Sequence, residues 1–271
     1  MLKFISFGSG SSGNSYLLFT DTDGLLIDAG VGRRKMKEYF RNYGISMSLV
    51  HNILITHDHA DHVKCVGSIS HDYNIPVFTT SEVHHGIERN YCVKRKVSAD
   101  LKRVVEKGVT CEVGEFRVTP FAVPHDSADN VGYEIECQGA TFCIVTDAGE
   151  ITDEIKPHIA NANYLVIQAN YDEEMLASGP YSIHLKSRIS GPKGHLSNKD
   201  CATALAENMT ERLKQVWLCH LSEENNHPEL ARKTIEAVLR SYGIIVGKDF
   251  QLEVLKRKTP TGVFELGIPH P

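Results

Sequence analysis

The sequence predicts an α/β fold in which β-strands and helices form stacked layers. Short apolar, β-branched runs such as 53–56 alternate with longer stretches whose apolar residues recur at helical spacing. Two strand-like runs also end in the same tripeptide, Asp-Ala-Gly, at 28–30 and at 147–149. This self-similarity favours two ββα-type halves packed face to face, with a site at their shared edge. Chance recurrence of a strand–turn phrase remains an alternative explanation.

The order of helices and strands follows from the spacing of the apolar residues along the chain. Val63, Val66 and Ile69, for example, are spaced for one helix face. Strands are predicted near residues 2–7, 15–20, 24–27, 53–56, 76–79, 109–113, 116–123, 131–136, 141–146, 164–168, 215–219, 250–255 and 262–266. Helices are predicted near residues 33–43, 60–73, 153–160, 172–178, 198–210 and 228–242.

Length and composition favour one globular domain. The 271 residues are 41% hydrophobic and 23% charged, and no Pro/Gly/Ser-rich linker divides them. We therefore expect a single domain over 1–271 with two similar halves, roughly 1–125 and 126–271. No stretch of about 18 apolar residues suggests a membrane span. The net charge of −5 does not by itself exclude a polyanionic substrate, which needs only a local basic rim.

The N-terminus and the cysteines indicate a reducing compartment. The chain runs directly into a strand-like segment instead of a signal peptide, so a cytoplasmic location is expected. Its seven cysteines are widely spaced and form no CxxC pair. They are expected to be reduced and mostly buried, and Cys219 is interpreted as a core residue despite its neighbour His220.

The segment 56–62 carries the strongest functional signal. His57, His59, Asp61 and His62 follow a predicted buried strand, where a strand-to-helix turn brings side chains to the rim of a sheet. Imidazole nitrogen and carboxylate oxygen are ligands for zinc, manganese or iron. The segment therefore predicts a metal site with ligands for two ions. A polar loop with a helix-capping aspartate is the alternative.

Three later residues occupy equivalent positions at strand ends. His125 follows a proline that ends its strand, and it is the expected third ligand of a first ion held by His57 and His59. His220 is the expected third ligand of a second ion, with Asp61 and His62. Asp147 has two carboxylate oxygens and is expected to bridge both ions, together with a water or hydroxide that acts as the nucleophile.

Other residues are expected to support this centre. Asp61 and His195 are the residues on which catalysis is expected to depend, with His195 protonating a leaving oxygen. Asp28 has the same position in its Asp-Ala-Gly tripeptide as Asp147 has, and it could orient a histidine ligand. The loop 8–15 could hold a phosphate or simply form a hairpin turn. Eight further histidines are expected at the surface, namely His51, His71, His84, His85, His158, His184, His227 and His270.

The motif His-x-His-x-Asp-His at 57–62 resembles the signature of the metallo-β-lactamase fold superfamily, and His125, Asp147 and His220 fall where its later ligands are expected. Segments 8–15, 194–198 and 220–226 resemble the bacterial YycJ/WalJ branch, which is related to ribonuclease Z and other phosphodiesterases. The resemblance covers nearly the whole chain.

The resemblance implies a four-layer αββα sandwich with two mixed sheets flanked by helices. It also implies two divalent metal ions, with zinc favoured over manganese or iron, and hydrolysis of nucleic-acid phosphodiesters by a 5′-to-3′ exonuclease. One segment departs from the branch pattern Glu-Ser-Asn-His-Asp, because residues 168–172 read Gln-Ala-Asn-Tyr-Asp. Metal binding should survive this change, while substrate choice or rate is in doubt.

Two other functions fit the same motif. A thioester hydrolase of the glyoxalase II type would use the same ligands, and a non-catalytic metal-binding module would use them without turnover. Cationic runs at 33–35 and 94–96 could attract the phosphates of a nucleic acid, although such runs are usually solvated surface. No oligomeric state is predicted.

Overall fold

A computed structural model describes residues 1–267 of the chain. Its strands are Leu2–Gly8 (β1), Ser15–Phe19 (β2), Gly24–Ile27 (β3), Val50–Leu54 (β4), Val77–Thr79 (β5), Lys102–Val104 (β6), Cys111–Val113 (β7), Phe116–Ala122 (β8), Val131–Cys137 (β9), Ala140–Val145 (β10), Tyr164–Gln168 (β11), Gln215–Cys219 (β12), Gln251–Val254 (β13) and Val263–Leu266 (β14). Its α-helices are Arg33–Asn42 (α1), Ala60–Val63 (α2), Val66–Tyr73 (α3), Ser81–Arg89 (α4), Lys156–Asn161 (α5), Glu173–Ser178 (α6), Ile183–Ile189 (α7), Asn198–Asn208 (α8) and Pro228–Ser241 (α9).

The strands form two seven-stranded mixed sheets. The first has the order β14-β1-β2-β3-β4-β5-β6, and the second has the order β13-β12-β11-β10-β9-β8-β7. In each sheet antiparallel pairing changes to parallel pairing, at β3 in the first and at β10 in the second. The carboxyl ends of parallel strands meet at one rim of a sheet, which is where ligand-binding residues of α/β proteins lie.

Three hydrophobic layers confirm the predicted four-layer sandwich. Alternate residues of a strand point to opposite faces of a sheet. Phe4 of β1 accordingly packs between the sheets with Phe142 and Trp217, whereas Ile5 packs on the outer face of the first sheet. Helices α1, α3 and α4 cover that outer face, and α5, α8 and α9 cover the outer face of the second sheet.

The predicted helix over 60–73 is wrong as a continuous element, since α2 ends at Val63 and α3 begins at Val66. The carbonyl of His62 accepts the backbone N–H of Ala29 at 2.7 Å, so it is not available to a continuing helix. The backbone N–H of Cys65 is likewise donated to the carbonyl of Ala29 at 3.0 Å. Backbone contacts with the 28–30 turn therefore interrupt the helix next to the predicted ligands.

Three elements were not expected from the sequence, namely β6, α4 and α7. Helix α4 contains Gly86, where an added Cβ would lie 2.2 Å from the carboxylate of Asp58. Helix α7 has no fully buried residue and therefore lacks a strong apolar stripe.

The chain passes from the first sheet to the second between Val104 and Cys111, before the boundary near residue 125 that was expected for the two halves. Strand β14 then returns to the first sheet. Within residues 1–267, no helix is long and apolar enough to cross a bilayer.

Candidate metal centre

The predicted ligands lie together at the rims of both sheets. His57 to His62 follow β4 in the first sheet, whereas Asp147 and His220 follow β10 and β12 in the second. His125 follows β8, an antiparallel strand of the second sheet. The cluster contains four sets of three residues, and within each set the three possible ligand atoms lie within 4.8 Å of one another. The sets share members. The two sheets therefore contribute donors to one continuous cluster.

The first set consists of His57, His59 and His125. The Nδ1 atom of His125 donates to the carbonyl of Gly194 at 3.0 Å, which leaves its Nε2 atom facing the site. That Nε2 lies 3.3 Å from Nδ1 of His59. The Nε2 atom of His57 is buried and has no hydrogen-bond partner among residues 1–267. A buried ring nitrogen without a partner is costly unless it binds something, so it fits a metal ligand.

The second set consists of Asp61, His62 and His220. Nε2 of His220 lies 3.1 Å from Oδ2 of Asp61, and Nε2 of His62 lies 3.6 Å from the same oxygen. The Nδ1 atom of His62 donates to Oδ2 of Asp28 at 2.7 Å, so its Nε2 faces the cluster. The expectation that Asp28 orients a histidine is confirmed.

Asp147 lies between the two sets. Its Oδ2 is 3.1 Å from Nε2 of His62, while its Oδ1 is 3.6 Å from Nε2 of His220 and 4.0 Å from Nε2 of His125. The hydroxyl of Thr146 donates to Oδ2 at 2.9 Å and helps to hold the carboxylate. The carboxylate therefore faces His62 and His220 of the second set and, through Oδ1, His125 of the first, so it lies where it could serve both sets.

His195 borders the same cluster, in one donor set with Asp147 and His220. Its Nδ1 atom lies 3.4 Å from Oδ1 of Asp147 and 3.0 Å from Nε2 of Gln168. The helix that follows it, α8, is capped at its N-terminus, because the hydroxyl of Ser197 accepts the backbone N–H of Asp200. The backbone N–H of Asn170 donates to the carbonyl of Leu196 at 2.9 Å, which holds the segment 194–197 against the end of β11.

Gln168 and Asn170, in the segment that departs from the branch pattern, contact the histidines directly. The backbone N–H of Leu196 donates to Oε1 of Gln168 at 3.2 Å, which turns the amide nitrogen towards His195. Asn170 donates to the carbonyl of His220 at 2.7 Å. Sequence reasoning singled out this segment by its departure but did not place it, because only the pairing of β11 between β10 and β12 brings it behind the site.

Asn14 was also not recognised as an individual site residue. Its side-chain amide donates to Oδ2 of Asp61 at 3.1 Å and lies 2.9 Å from Nε2 of His62. Its position in the glycine- and serine-rich loop 8–15 was the only available signal. The loop is therefore more than a hairpin turn, since it contacts two predicted ligands.

Three residues of the centre have backbone angles that L-amino acids rarely adopt. Asp28, Asp147 and His220 have φ values of 59°, 51° and 52°. The left-handed region costs a non-glycine residue roughly 1–3 kcal/mol, and such residues cluster at functional sites. Each of the three directly follows or nearly follows the end of a strand. The strained turn directs each side chain from the strand end towards the centre.

The carboxylates control the protonation of the second set. Burial would lower the pKa of His62, but the carboxylates of Asp28, Asp61 and Asp147 raise it well above its usual range. Burial would also lower the pKa of His220, but the carboxylates of Asp147 and Asp61 raise it above its usual value. Burial would raise the pKa of Asp61, but His62 and His220 lower it to about 2. The carboxylates are thus ionised, and a bound cation would displace protons from these imidazoles.

In the first set, the pKa values of two histidines are shifted in the opposite direction, that is, downwards. Burial, followed by the nearby charge of His62, lowers the pKa of His57 well below its usual range. Burial also lowers the pKa of His125, although Asp147 opposes the shift. These imidazoles are therefore neutral at pH 7, and a neutral imidazole is the form that binds a metal.

The centre opens into a cavity of roughly 240 Å³. Ser11, Arg188 and Ile189 line it together with the donors, and Arg188 forms an ion pair with Asp126.

Among the other histidines, the surface prediction is wrong for His84, which is buried on α4 and contacts the carbonyl of Arg103 at 3.0 Å. His158 is half-buried against Glu134. His270 lies outside the described residues. Cys219 is buried in the core between the sheets, as predicted.

Comparison with known proteins supports the class that fold and site indicate. A family model described as β-lactamase superfamily domain matches residues 24–220. The chain therefore belongs to this superfamily, and its clustered histidines and aspartates make it a metal-dependent hydrolase of the metallo-β-lactamase fold.

More specific relatives cover the full chain. It is 33% identical over 262 residues to exodeoxyribonuclease YycJ of Bacillus anthracis. The aligned region covers 97% of this chain and 98% of that relative. It is 34% identical over 264 residues to exodeoxyribonuclease WalJ of Streptococcus pneumoniae, with coverage of 97% and 98%. The crystal structure of YhfI, a metallo-β-lactamase fold protein from Bacillus subtilis, superposes with a TM-score of 0.70 at 14% identity and covers 96% of this chain and 99% of that one.

Proposed function

We propose that this chain is a two-metal phosphodiesterase that removes nucleotides from the end of a DNA strand, with 5′-to-3′ polarity. The observation that carries the proposal is the meeting of two complete donor sets at the carboxylate of Asp147. Relatives named exodeoxyribonuclease, similar over nearly their whole length, support DNA as the substrate.

The donors fit two metal ions. His57, His59 and His125 would hold one ion, and Asp61, His62 and His220 would hold the other, with Asp147 shared. The partnerless, buried Nε2 of His57 supports the first assignment. Zinc is the proposed metal, because a set of three imidazole donors suits it well. When bound, such a pair of ions activates water and neutralises charge on the phosphoryl oxygens.

His195 is proposed to act on the departing oxygen. Burial lowers the pKa of His195 to about 3, so the imidazole is neutral at physiological pH. Because the amide nitrogen of Gln168 donates to Nδ1, the ring proton resides on Nε2. His195 therefore offers an N–H hydrogen bond to the departing oxygen, as an electrophile that stabilises charge. This role differs from the proton transfer expected from the sequence.

One side chain and one helix further shape the site. Asn14 fixes Oδ2 of Asp61 by a hydrogen bond of 3.1 Å, which limits the rotation of this carboxylate. Helix α7 forms one wall of the cavity through Leu185, Arg188 and Ile189. A substrate in this cavity is therefore partly screened from bulk water, and the electrostatic interactions there are stronger than at an exposed surface.

Metal analysis combined with substrate assays tests the proposal. Chelator-treated protein would be reloaded with zinc, manganese or iron and assayed on a 5′-phosphorylated DNA strand, a small phosphodiester and a thioester. We expect Asp61→Ala to lower DNA turnover by about a hundredfold or more, because it removes a metal ligand. Asp153→Ala, which removes a carboxylate with 96% side-chain exposure, is the matched control.

The outcomes discriminate between functions. Release of mononucleotides that depends on Asp61 and on added metal supports the proposal. Thioester cleavage without DNA cleavage would replace it with a glyoxalase II type of activity. Tight metal binding without turnover of any of the three substrates would indicate a metal-binding module.

A further inference from the structure

A second, larger cavity lies beside the metal centre. It has a volume of roughly 650 Å³, within the range of ligand-binding cavities. Apart from Phe7, Val31 and Gly32, it is lined by the glycine- and serine-rich loop and by cationic side chains. The six cationic residues are Arg33, Arg34, Lys35, Lys64, Arg257 and Lys258. We call this the basic cavity.

Most of this positive charge is not neutralised within the described chain. Arg33 pairs with Asp72, and Lys258 pairs with Glu223. Lys64 instead donates to the carbonyl of Ser12, which leaves its charge uncompensated. Neutral carbonyl partners hold a cation in place without cancelling its charge. The cavity is therefore a local region of positive potential on a protein whose net charge is −5.

Arg257 is built into the floor of the cavity. Its Nε atom donates to the carbonyl of Leu221 at 2.9 Å, and its Nη2 atom donates to the carbonyls of Ser222 and Asn226 at 2.6 and 2.8 Å. These carbonyls follow His220 in the chain, so the guanidinium is fixed to the segment that carries a predicted metal ligand. Arg34 and Lys35 are exposed on α1 and form no ion pair with any residue from 1 to 267.

The basic cavity and the metal centre share a wall. Ser11 lines the cavity of the metal centre, while its neighbours Ser12 and Gly13 line the basic cavity. Asn14, the next residue, contacts Asp61 and His62. A bound strand that crosses this short loop would therefore place one phosphate at the metal centre and further phosphates among the cations.

We propose that the basic cavity binds the phosphates of the nucleic-acid strand next to the scissile bond. This inference rests on the proposed function and specifies how the substrate is held. Lysine and arginine contacts to phosphates are independent of base sequence and release condensed counterions. The cavity thus provides affinity for a polyanion of any sequence, whereas a small phosphodiester at the metal centre would not reach it.

The test uses metal-loaded protein and a fluorescent, phosphorothioate-linked single strand that resists hydrolysis. Arg34→Ala/Lys35→Ala is compared with Lys233→Ala/Lys248→Ala, which removes the same charge from exposed positions on and after α9. We expect the first pair to weaken binding by about tenfold and to reduce the slope of log K against log salt by about 1.4, as for two lost single-strand contacts. The control pair should bind as the wild type does.

Two readouts separate this proposal from the proposed function. Turnover of a small phosphodiester should be unchanged in Arg34→Ala/Lys35→Ala, and its thermal melting should match that of the wild type. Equal weakening in both pairs, or unchanged affinity and salt slope in the first pair, would overturn the basic cavity as the binding site even if DNA is cleaved. Conversely, cavity-dependent binding without DNA cleavage would support the cavity and contradict the proposed function.

Discussion

At the scale of single residues, the centre depends on groups that orient its donors. Asp28 accepts hydrogen bonds from Nδ1 of His62, from the backbone N–H of Thr56 and from the hydroxyl of Thr56. A carboxylate can accept all three because both of its oxygens are acceptors. The ring orientation of His62 is therefore set by a fully buried residue that does not itself belong to a donor set.

We predict that Asp28→Asn weakens metal binding by about 10- to 100-fold, since the amide offers one oxygen where two accept now. Competition with a chromophoric chelator measures the affinity. Asp153→Asn, at an exposed position, is the control and should bind metal normally. Unchanged affinity in Asp28→Asn would show that the ring of His62 is held by its packing alone.

Gln168 fixes the tautomer of the neutral His195 ring, because its amide nitrogen donates to Nδ1. Burial lowers the pKa of His195 to about 3, so its imidazole becomes charged only when the pH falls to that value. A carboxylate at 168 would lie near Nδ1, accept its proton and favour the imidazolium. The amide that this chain carries instead adds no charge and leaves the ring proton on Nε2.

We therefore predict that Gln168→Glu raises the pKa of His195, so that the ring becomes protonated at a higher pH than in the wild type. A ¹⁵N NMR titration of the imidazole measures this shift and also reports which nitrogen carries the proton. Gln251→Glu adds the same charge at an exposed position of β13 and should leave His195 unchanged. An unaltered titration of His195 in Gln168→Glu would contradict the role assigned to the amide.

At the scale of elements, three segments interlock through their backbones. The N–H of Asn14 donates to the carbonyl of Asp61 at 2.8 Å, and the N–H of Gly30 donates to the carbonyl of Asn14 at 2.8 Å. Ala29 donates to His62 at 2.7 Å. The approach is so close at Gly30 that a Cβ would lie 1.5 Å from the carbonyl oxygen of Asp61. The positions of Asp61 and His62 thus depend on two loops of the first sheet.

We predict that Gly30→Ala destabilises the fold by about 3 kcal/mol, because backbone atoms cannot yield as a flexible side chain would. Urea denaturation of the two proteins provides the comparison. Gly32→Ala is the matched control, since no atom lies within 4 Å of its Cβ position. It should cost about 0.5 kcal/mol or less. Equal stability of the two variants would show that the loop moves away without strain.

At the scale of the whole molecule, the centre joins the two sheets. His57, His59, Asp61 and His62 belong to the first sheet, whereas His125, Asp147 and His220 belong to the second. The sheets are also held together by apolar packing, with Trp217 and Phe4 at its centre, and by hydrogen bonds such as that from the Tyr133 hydroxyl to the carbonyl of Ile55. Metal ions at the rim would therefore tie together segments that are more than 150 residues apart.

We predict that removing metal lowers the melting temperature by roughly 5–10 °C, because ligand at a hundredfold excess over Kd stabilises a fold by about 2.7 kcal/mol. Differential scanning calorimetry with and without a chelator measures the change. In Asp61→Ala the difference should shrink, since one ion has lost a ligand. A melting temperature that does not respond to the chelator would show that the ions do not stabilise the contact between the sheets.

Much of this architecture was predictable from local pattern. Short β-branched runs identified most strands, including those that precede His57, Asp147 and His220, because burial on both faces of a sheet selects apolar residues over the whole strand. Helix α7 was not predictable, since it buries no residue completely and so shows no periodic stripe. The interruption between α2 and α3 was not predictable either, because its cause is a hydrogen bond to Ala29, which is distant in sequence.

The sequence by itself determined the chemistry of the centre: which side chains can bind metal, and that each of them follows a strand. Only the tertiary structure decided that Asn14 contacts Asp61 and His62, that Gln168 faces His195, and that Arg257 and Lys64 join α1 in the basic cavity. The physical reason is that residue type and spacing are local properties, whereas distances between strand ends follow from the pairing order and stacking of two sheets.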